Sequence, residues 1–174
     1  MLSDKLTQAL NDQLNFELHS AYLYLSMSAN MEAAGLKGTA NWLWIQTKEE
    51  QAHALHMYQY LLDRGAQPHL AAIEAPIAEF ADIKDVFAKT LAHEQKVTAR
   101  INNIATLAMQ ENDHACYQFI MWYVNEQVEE EANASELLSK LEIIGNDNGL
   151  IYTLDQELAA RVFNNPFPTD AKLI

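Results

Sequence analysis

Apolar side chains recur at alternating three- and four-residue spacing along four long stretches of the chain, which is the spacing of helices with one buried face. The first stripe reads Leu10, Leu14, Glu17, Ala21, Tyr24, Ser28, Met31, and the second Leu43, Gln46, Glu50, His53, Met57, Tyr60. The third reads Phe87, Thr90, Glu94, Val97, Ile101, Ile104, and the fourth Cys116, Ile120, Tyr123, Gln127, Glu130, Ala134, Leu137, Leu141. Helix-breaking residues fall between the stripes. Gly35 and Gly38 mark one turn, Gly65, Pro68 and Pro76 a second connection, Gly145 and Gly149 a third, and Pro166 and Pro168 a tail. Ser3 and Asp4 are candidate N-caps for the first helix. Neither Gly nor Pro occurs from Ile77 to Ile144, yet one helix over that span would be roughly 100 Å long. The polar run Glu111-Asn112-Asp113-His114 is the place to fold it back.

Helices are accordingly predicted over about 4–33, 38–64, 83–111 and 115–143, with a shorter fifth over about 150–162 and a tail over 163–174. Short turns join the first helix to the second and the third to the fourth, so each pair should be an antiparallel hairpin. The second and third are joined by roughly 17 residues, which reach about 55 Å when extended, the length of a bundle. A loop that long in a compact domain requires a reason. A crossover that sets the second and third helices parallel supplies one. The predicted fold class is all-α, a four-helix bundle with a long crossover, forming one domain over 1–174.

Composition narrows the partners. The 174 residues carry 24 acidic and 11 basic side chains, a formal net charge of −13. Phosphate backbones are repelled by such a surface, so no nucleic acid is expected, and cations are the natural partners. Cys116 is the single cysteine, which excludes an intrachain disulfide and a cysteine-held metal cluster and fits a reducing compartment. Met1 to Lys5 lead into an amphipathic pattern without an apolar signal core. No apolar stretch approaches bilayer-spanning length. The expectation is a cytoplasmic protein with no membrane partner.

The informative departure is acidic. Each long stripe places one glutamate where the core should be: Glu17, Glu50, Glu94 and Glu130, with His53 one turn beyond Glu50. Any one of them is explained by a stripe displaced by one position, because a helical glutamate ordinarily faces solvent. Four together are not. Isolated ionised carboxylates cost several kcal/mol each to bury, and clustering them adds repulsion. No Lys or Arg lies on the stripes, and Lys96 and Arg100 fall on another face of the third helix. Metal ions resolve the conflict. Hard oxygen donors with one imidazole suit iron or manganese rather than thiolate-held zinc. Four carboxylates also match the charge of two divalent ions, and Glu50 and His53, at i and i+3, can point at one of them. Di-iron carboxylate bundles use this donor pattern.

At this point the sequence resembles the bacterial non-haem ferritins, from Leu2 to about Val162. The segments that carry the resemblance are Asn15-Phe16-Glu17-Leu18, Glu49-Glu50-Gln51-Ala52-His53, His93-Glu94-Gln95 and the run from Trp122 to Glu131. It implies a ferritin-like four-helix bundle with a short fifth helix, in which Glu17, Glu50 and His53 bind iron at one site. Glu50 bridges to a second site completed by Glu94 and Glu130, with Gln127 as a hydrogen-bonding neighbour. Tyr24 matches a tyrosine near the irons that supplies an electron or a hydrogen bond, although a plain core aromatic is an equal reading. Glu49, Glu126, Glu129 and Glu130 match a third iron site, the alternative being a solvated acidic face.

The activity implied is oxidation of Fe²⁺ by O₂ or H₂O₂, with two irons per centre and the ferric product stored in a hollow shell of 24 identical subunits. Asp113 and His114 are candidates for iron-uptake channels as well as ordinary turn residues. Bacterioferritins carry a second Glu-x-x-His where this chain has Gln127-x-x-Glu130, and a haem-binding Met where it has Gln51, so no haem is expected. One cysteine excludes the iron domain of rubrerythrins. The tail around Asn164-Asn165-Pro166-Phe167-Pro168 is longer than the resemblance implies and has no assigned role. The competing readings are a di-iron oxidase or peroxidase without storage, and a shell subunit with an incomplete centre.

Overall fold

The computed structural model describes residues 1–167, so the last part of the predicted tail, 168–174, lies outside the described residues. Its elements are α1 (Asp4–Ala33), α2 (Lys37–Asp63), α3 (Ile83–Gln110), α4 (His114–Ile144) and α5 (Asn148–Leu158). Four of the five start at a short polar side chain that takes up backbone N–H groups otherwise left without partners. Ser3 accepts from Leu6 N (3.1 Å), Asp82 from Asp85 N (2.8 Å), Asp113 from Cys116 N (2.9 Å) and Asp147 from Gly149 N and Leu150 N (2.8 and 3.1 Å). The long stretch without Gly or Pro folds back where expected. Asn112 takes the left-handed conformation there (φ 56°), and Asp113 N closes the turn on Ala108 O at 2.9 Å.

The crossover between α2 and α3 is pinned along α1 by side chains. Asn11 Oδ1 accepts from His69 N (2.6 Å), Asn15 Oδ1 accepts from Ala71 N (2.7 Å) while its Nδ2 donates to His69 O (2.8 Å), and Ser26 Oγ donates to Ile77 O (2.7 Å). The segment thus runs from the first third of α1 towards its far end, which makes α2 and α3 parallel. The backbone groups of His69, Ala71 and Ile77 are thus paired with a helix surface and not with a sheet or helix of their own.

The apolar core falls into two halves. Leu6, Leu10, Leu14, Met57, Leu61, Ile101 and Ile120 fill one end of the bundle, and Met27, Met31, Leu43, Val86, Phe87 and Leu141 the other. Burying each such side chain contributes roughly 1.5–3 kcal/mol, enough to hold a polar belt between the halves. Tyr60, read as the end of the second stripe, is only partly buried, and Leu61 takes the core position. A straight helix turns once per 3.6 residues, so a 3.5-residue stripe drifts off the core over its length.

The helix α5 docks on the start of α2, which lacks a cap of its own, since Leu36 makes no side-chain bond there. Asp155 supplies it from across the chain. Its carboxylate accepts from Gly38 N (3.0 Å), Thr39 N (2.7 Å) and Thr39 Oγ1 (2.9 Å), an anion at a helix N-terminus. The approach is so close that a Cβ on Gly38 would lie 1.6 Å from Asp155 O. Gly38→Ala is therefore expected to destabilise the fold by at least about 1–3 kcal/mol. A lower denaturant midpoint, with faster proteolysis in the 145–149 turn, checks this. The fifth helix is shorter than expected, ending at Leu158 and not near 162. Ala160 N and Arg161 N bond to Glu157 O and Leu158 O (both 3.3 Å), and Arg161 O then accepts from Asn41 Nδ2 on α2 (3.0 Å), which draws the chain off the helix axis.

Candidate metal centre

The polar belt is built from one glutamate on each long helix. Glu17, Glu50, Glu94, Glu130 and His53 are all at most 5 % exposed. One ligand atom each from Glu17, Glu50 and His53 lies within 4.8 Å of the others, and His53 Nδ1 stands 3.6 Å from Glu50 Oε2. Glu94 and Glu130 flank Glu50 and are turned partly towards neutral donors. Gln127 Nε2 donates to Glu94 Oε2 (3.0 Å), Gln46 Nε2 to Glu130 Oε2 (2.9 Å), and the Tyr24 hydroxyl to Glu94 Oε1. Glu17 is oriented from its own helix by Gln13 Nε2 (2.8 Å), whose Oε1 accepts from Arg100 Nε (2.8 Å). Tyr24 is thus both a core aromatic and a partner of the belt.

Several buried atoms in this belt have no hydrogen-bond partner: Glu17 Oε2, Glu50 Oε2, His53 Nε2 and Gln46 Oε1. Leaving such atoms unpaired costs on the order of 1–3 kcal/mol each, more for charged groups. Three of the four belong to the compact trio, and their chemistry, two carboxylate oxygens and an imidazole nitrogen, is that of a hard or borderline divalent cation site. Without a cation, burial favours the neutral form of each carboxyl. Burial, then the Glu50 carboxylate, pushes Glu17 well up; burial, then Glu94, does the same to Glu50. Burial also raises Glu94, and burial with repulsion from Glu94 brings Glu130 to about 8.

The acidic set proposed for a third ion is arranged differently. Glu130 points into the belt, Glu129 is exposed, and Glu126 is half-buried. Glu49 Oε2 is taken by Arg161 Nη2 at 2.5 Å. Asp113 caps α4 and pairs with Arg64 Nη2 at 2.6 Å. His93 passed through the sequence reading only as part of a motif, yet it is buried, stacked on Phe16 (5.3 Å between ring centres) with Nε2 2.7 Å from Ser20 Oγ. Burial, then the charges of His19 and Lys96, lowers its imidazole to about 4, so it sits there neutral. Gln13 and Gln46 were also missed as belt partners. Gln13 lies four residues before the Glu17 it bonds, and that spacing is the signal that marks it, whereas Gln46 reaches Glu130 on another helix.

The ferritin family model, a ferritin-like domain, matches residues 7–144, the span that contains every belt residue. The chain belongs to the ferritin family. A bacterial non-heme ferritin of Staphylococcus aureus (strain USA300) is 39 % identical over 164 residues, covering 94 % of this ferritin and 99 % of the relative. A probable bacterial non-heme ferritin-like protein of Haemophilus influenzae is 38 % identical over 91 % of the chain and 96 % of the relative. Among solved structures, an open pore ferritin from the hyperthermophilic archaeon Archaeoglobus fulgidus superposes with a TM-score of 0.92 at 44 % identity, over 93 % of this ferritin and 100 % of that chain. Iron storage and ferroxidation are functions of this family. Among the described residues of this ferritin, no helix is long and apolar enough to cross a membrane.

Proposed function

We propose that this ferritin oxidises Fe²⁺ at the belt between α1 and α4, with O₂ or H₂O₂ as acceptor, and stores the ferric product in a closed shell of 24 subunits in the cytoplasm. The observation that carries this reading is the convergence of unpartnered, buried donor atoms from Glu17, Glu50 and His53. In this reading Glu17 and His53 hold one Fe²⁺, Glu50 bridges, and Glu94 and Glu130 hold the other. Gln127 orients Glu94, and Tyr24 donates a hydrogen bond to the same carboxylate. Each Fe²⁺ gives up one electron, so a pair reduces O₂ to H₂O₂, or H₂O₂ to water, with two protons taken up. Carboxylates favour Fe³⁺ over Fe²⁺ by charge alone, which drives the reaction forward. Entering ions displace the protons that the buried carboxyls hold. Glu49, Glu126, Glu129 and Glu130 offer a third ion position beside the pair.

The test is aerobic addition of about two Fe²⁺ per subunit to metal-free protein, following ferric absorbance, with the pair stoichiometry set by the four-carboxylate centre. Oxidation much faster than in buffer is expected. A rate no faster than iron in buffer would overturn the reading. Size-exclusion chromatography separates storage from a storage-free oxidase: a closed shell of 19.7-kDa subunits elutes at roughly half a million daltons, and a monomer or dimer does not.

A further inference from the structure

Beyond α5 the chain does not run off into solvent. The guanidinium carbon of Arg161 lies 4.4 Å from the centre of the Trp42 ring, and its Nη2 reaches Glu49 Oε2. Phe163 follows beside Lys48, whose Nζ is 5.8 Å from its ring centre. Asn165 then closes a turn on Phe167, accepting from Phe167 N (2.9 Å) and donating to Phe167 O (3.2 Å). Phe167 is 7 % exposed, stacked on His56 (3.8 Å, 25°) and packed against Trp122 (4.5 Å), with its ring 6.2 Å from that of His53. Residues 161–167 thus form a strap across the α2–α4 face, fastened by a cation at one end and an aromatic stack at the other.

The cationic fastening sits among acids. Glu49 is next to the bridging Glu50, and the Arg161 charge opposes the rise that burial causes in Glu49 and, more weakly, in Glu126 and Glu130. The paired side chains are only 21 % and 18 % exposed, so the pair is stronger than a solvated surface ion pair. A guanidinium and a metal ion drawn to the same carboxylate oxygen repel each other, so each weakens the other's hold on it.

We propose that Arg161 is the resident cation of the Glu49–Glu126 cluster and competes with the third metal ion for Glu49, so that the third ion binds only as the guanidinium leaves and the strap loosens. The proposal rests on the third-ion reading above. It makes occupancy of the subunit two-tiered: the trio and its neighbours take ions without displacing a side chain, whereas the third ion must displace one. By linkage, anything that holds the strap down weakens the third ion by the same factor. A role for Arg161 in structure alone leads elsewhere: its loss would weaken the third ion or leave it unchanged, never tighten it.

Calorimetric titration of the metal-free assembled protein with Zn²⁺, a redox-inert probe, tests this on wild type, Arg161→Gln, Arg161→Lys and Glu49→Gln. Arg161→Gln is expected to bind the third ion roughly ten-fold tighter, the scale of a partly desolvated ion pair, with the first two ions altered far less. Arg161→Lys should fall between, since it keeps the charge without the planar fork. Glu49→Gln should lose the third ion. Equal third-ion affinity in wild type and Arg161→Gln, with Glu49→Gln lacking that ion, overturns the competition and leaves the third site standing. No third ion in any variant overturns the site itself. Should Arg161→Gln not assemble, tryptophan emission of wild type decides, because Trp42 loses its cation and Trp122 its Phe167 stack at the third equivalent. Emission that stays constant through that step overturns the proposal.

Discussion

Glu50→Gln is expected to lower the initial rate of ferroxidation by roughly 10²–10³-fold and, in the same protein without metal, to raise stability at pH 8 by on the order of 1–3 kcal/mol. The two effects share one cause. Glu50 is the carboxylate between the two halves of the centre, beside Glu17 and His53 on one side and Glu94 and Glu130 on the other. An amide keeps its shape, offers a neutral oxygen and cannot bridge two cations, so both ions are weakened at once. Without metal the same carboxyl is a burden: it is 2 % exposed, its Oε2 has no hydrogen-bond partner, and burial together with Glu94 disfavours its ionised form. Glu130→Ala and His53→Ala should slow oxidation less, since each serves one ion in the proposed arrangement. Stopped-flow ferric absorbance and denaturant midpoints check the pair of effects. A slower reaction without a gain in metal-free stability would mean that the carboxylate is already satisfied by the protein, and the cation reading of the belt would fall.

The bundle was legible because its signals are local. Stripe spacing, caps and the Gly and Pro positions fixed four helices to within a residue or so, and the crossover followed from chain length alone. The buried glutamates of the candidate centre were legible for a different reason: burying a carboxylate is so costly that four of them on apolar stripes stand out against any background. Gln46 lay on its stripe too, but a neutral amide there is no anomaly, and its partner Glu130 is 84 residues away. The end of α5 was misjudged for the same reason. Nothing in the periodicity of 150–162 announces that Arg161 is tied to Glu49, 112 residues earlier, and to Asn41. Likewise Asp155 reads as an ordinary helical acid until α2 is seen to begin without a cap. Pairings between distant elements leave no trace in a single sequence, whereas the cost of violating a local pattern does.

Metal-free protein is expected to lose stability as pH rises from 6.5 to about 8, and bound metal to reverse that slope. The groups facing the belt are Glu17 on α1, Glu50 and His53 on α2, Glu94 on α3, Glu130 on α4, and Tyr24. Folding raises the carboxyls: Glu130 to about 8, and Glu17 and Glu50 well above the ordinary 4.5. A raised acid keeps its proton in the folded chain while the unfolded chain has released it. Its contribution is therefore complete below about 4.5 and is lost as pH rises through the folded value. His93 opposes this lower down, because a base depressed from 6.5 to about 4 gains stability as pH rises through that interval. Above 6.5 its contribution is constant, and Tyr24, raised above 10, does not titrate until later. The belt carboxyls act throughout the interval from 6.5 to 8. One carboxyl holding its proton across that window accounts for roughly 2 kcal/mol, and Glu17 and Glu50 act in the same direction. Divalent ions replace those protons, so metal-bound protein should instead gain stability with pH as fewer protons compete for the ligands. Denaturant midpoints across the window, with and without Zn²⁺, measure both slopes. A flat metal-free profile would mean that the carboxyls are ionised without a cation. In Glu50→Gln the metal-free slope should be shallower than in wild type, because one of the acids that produces it is gone.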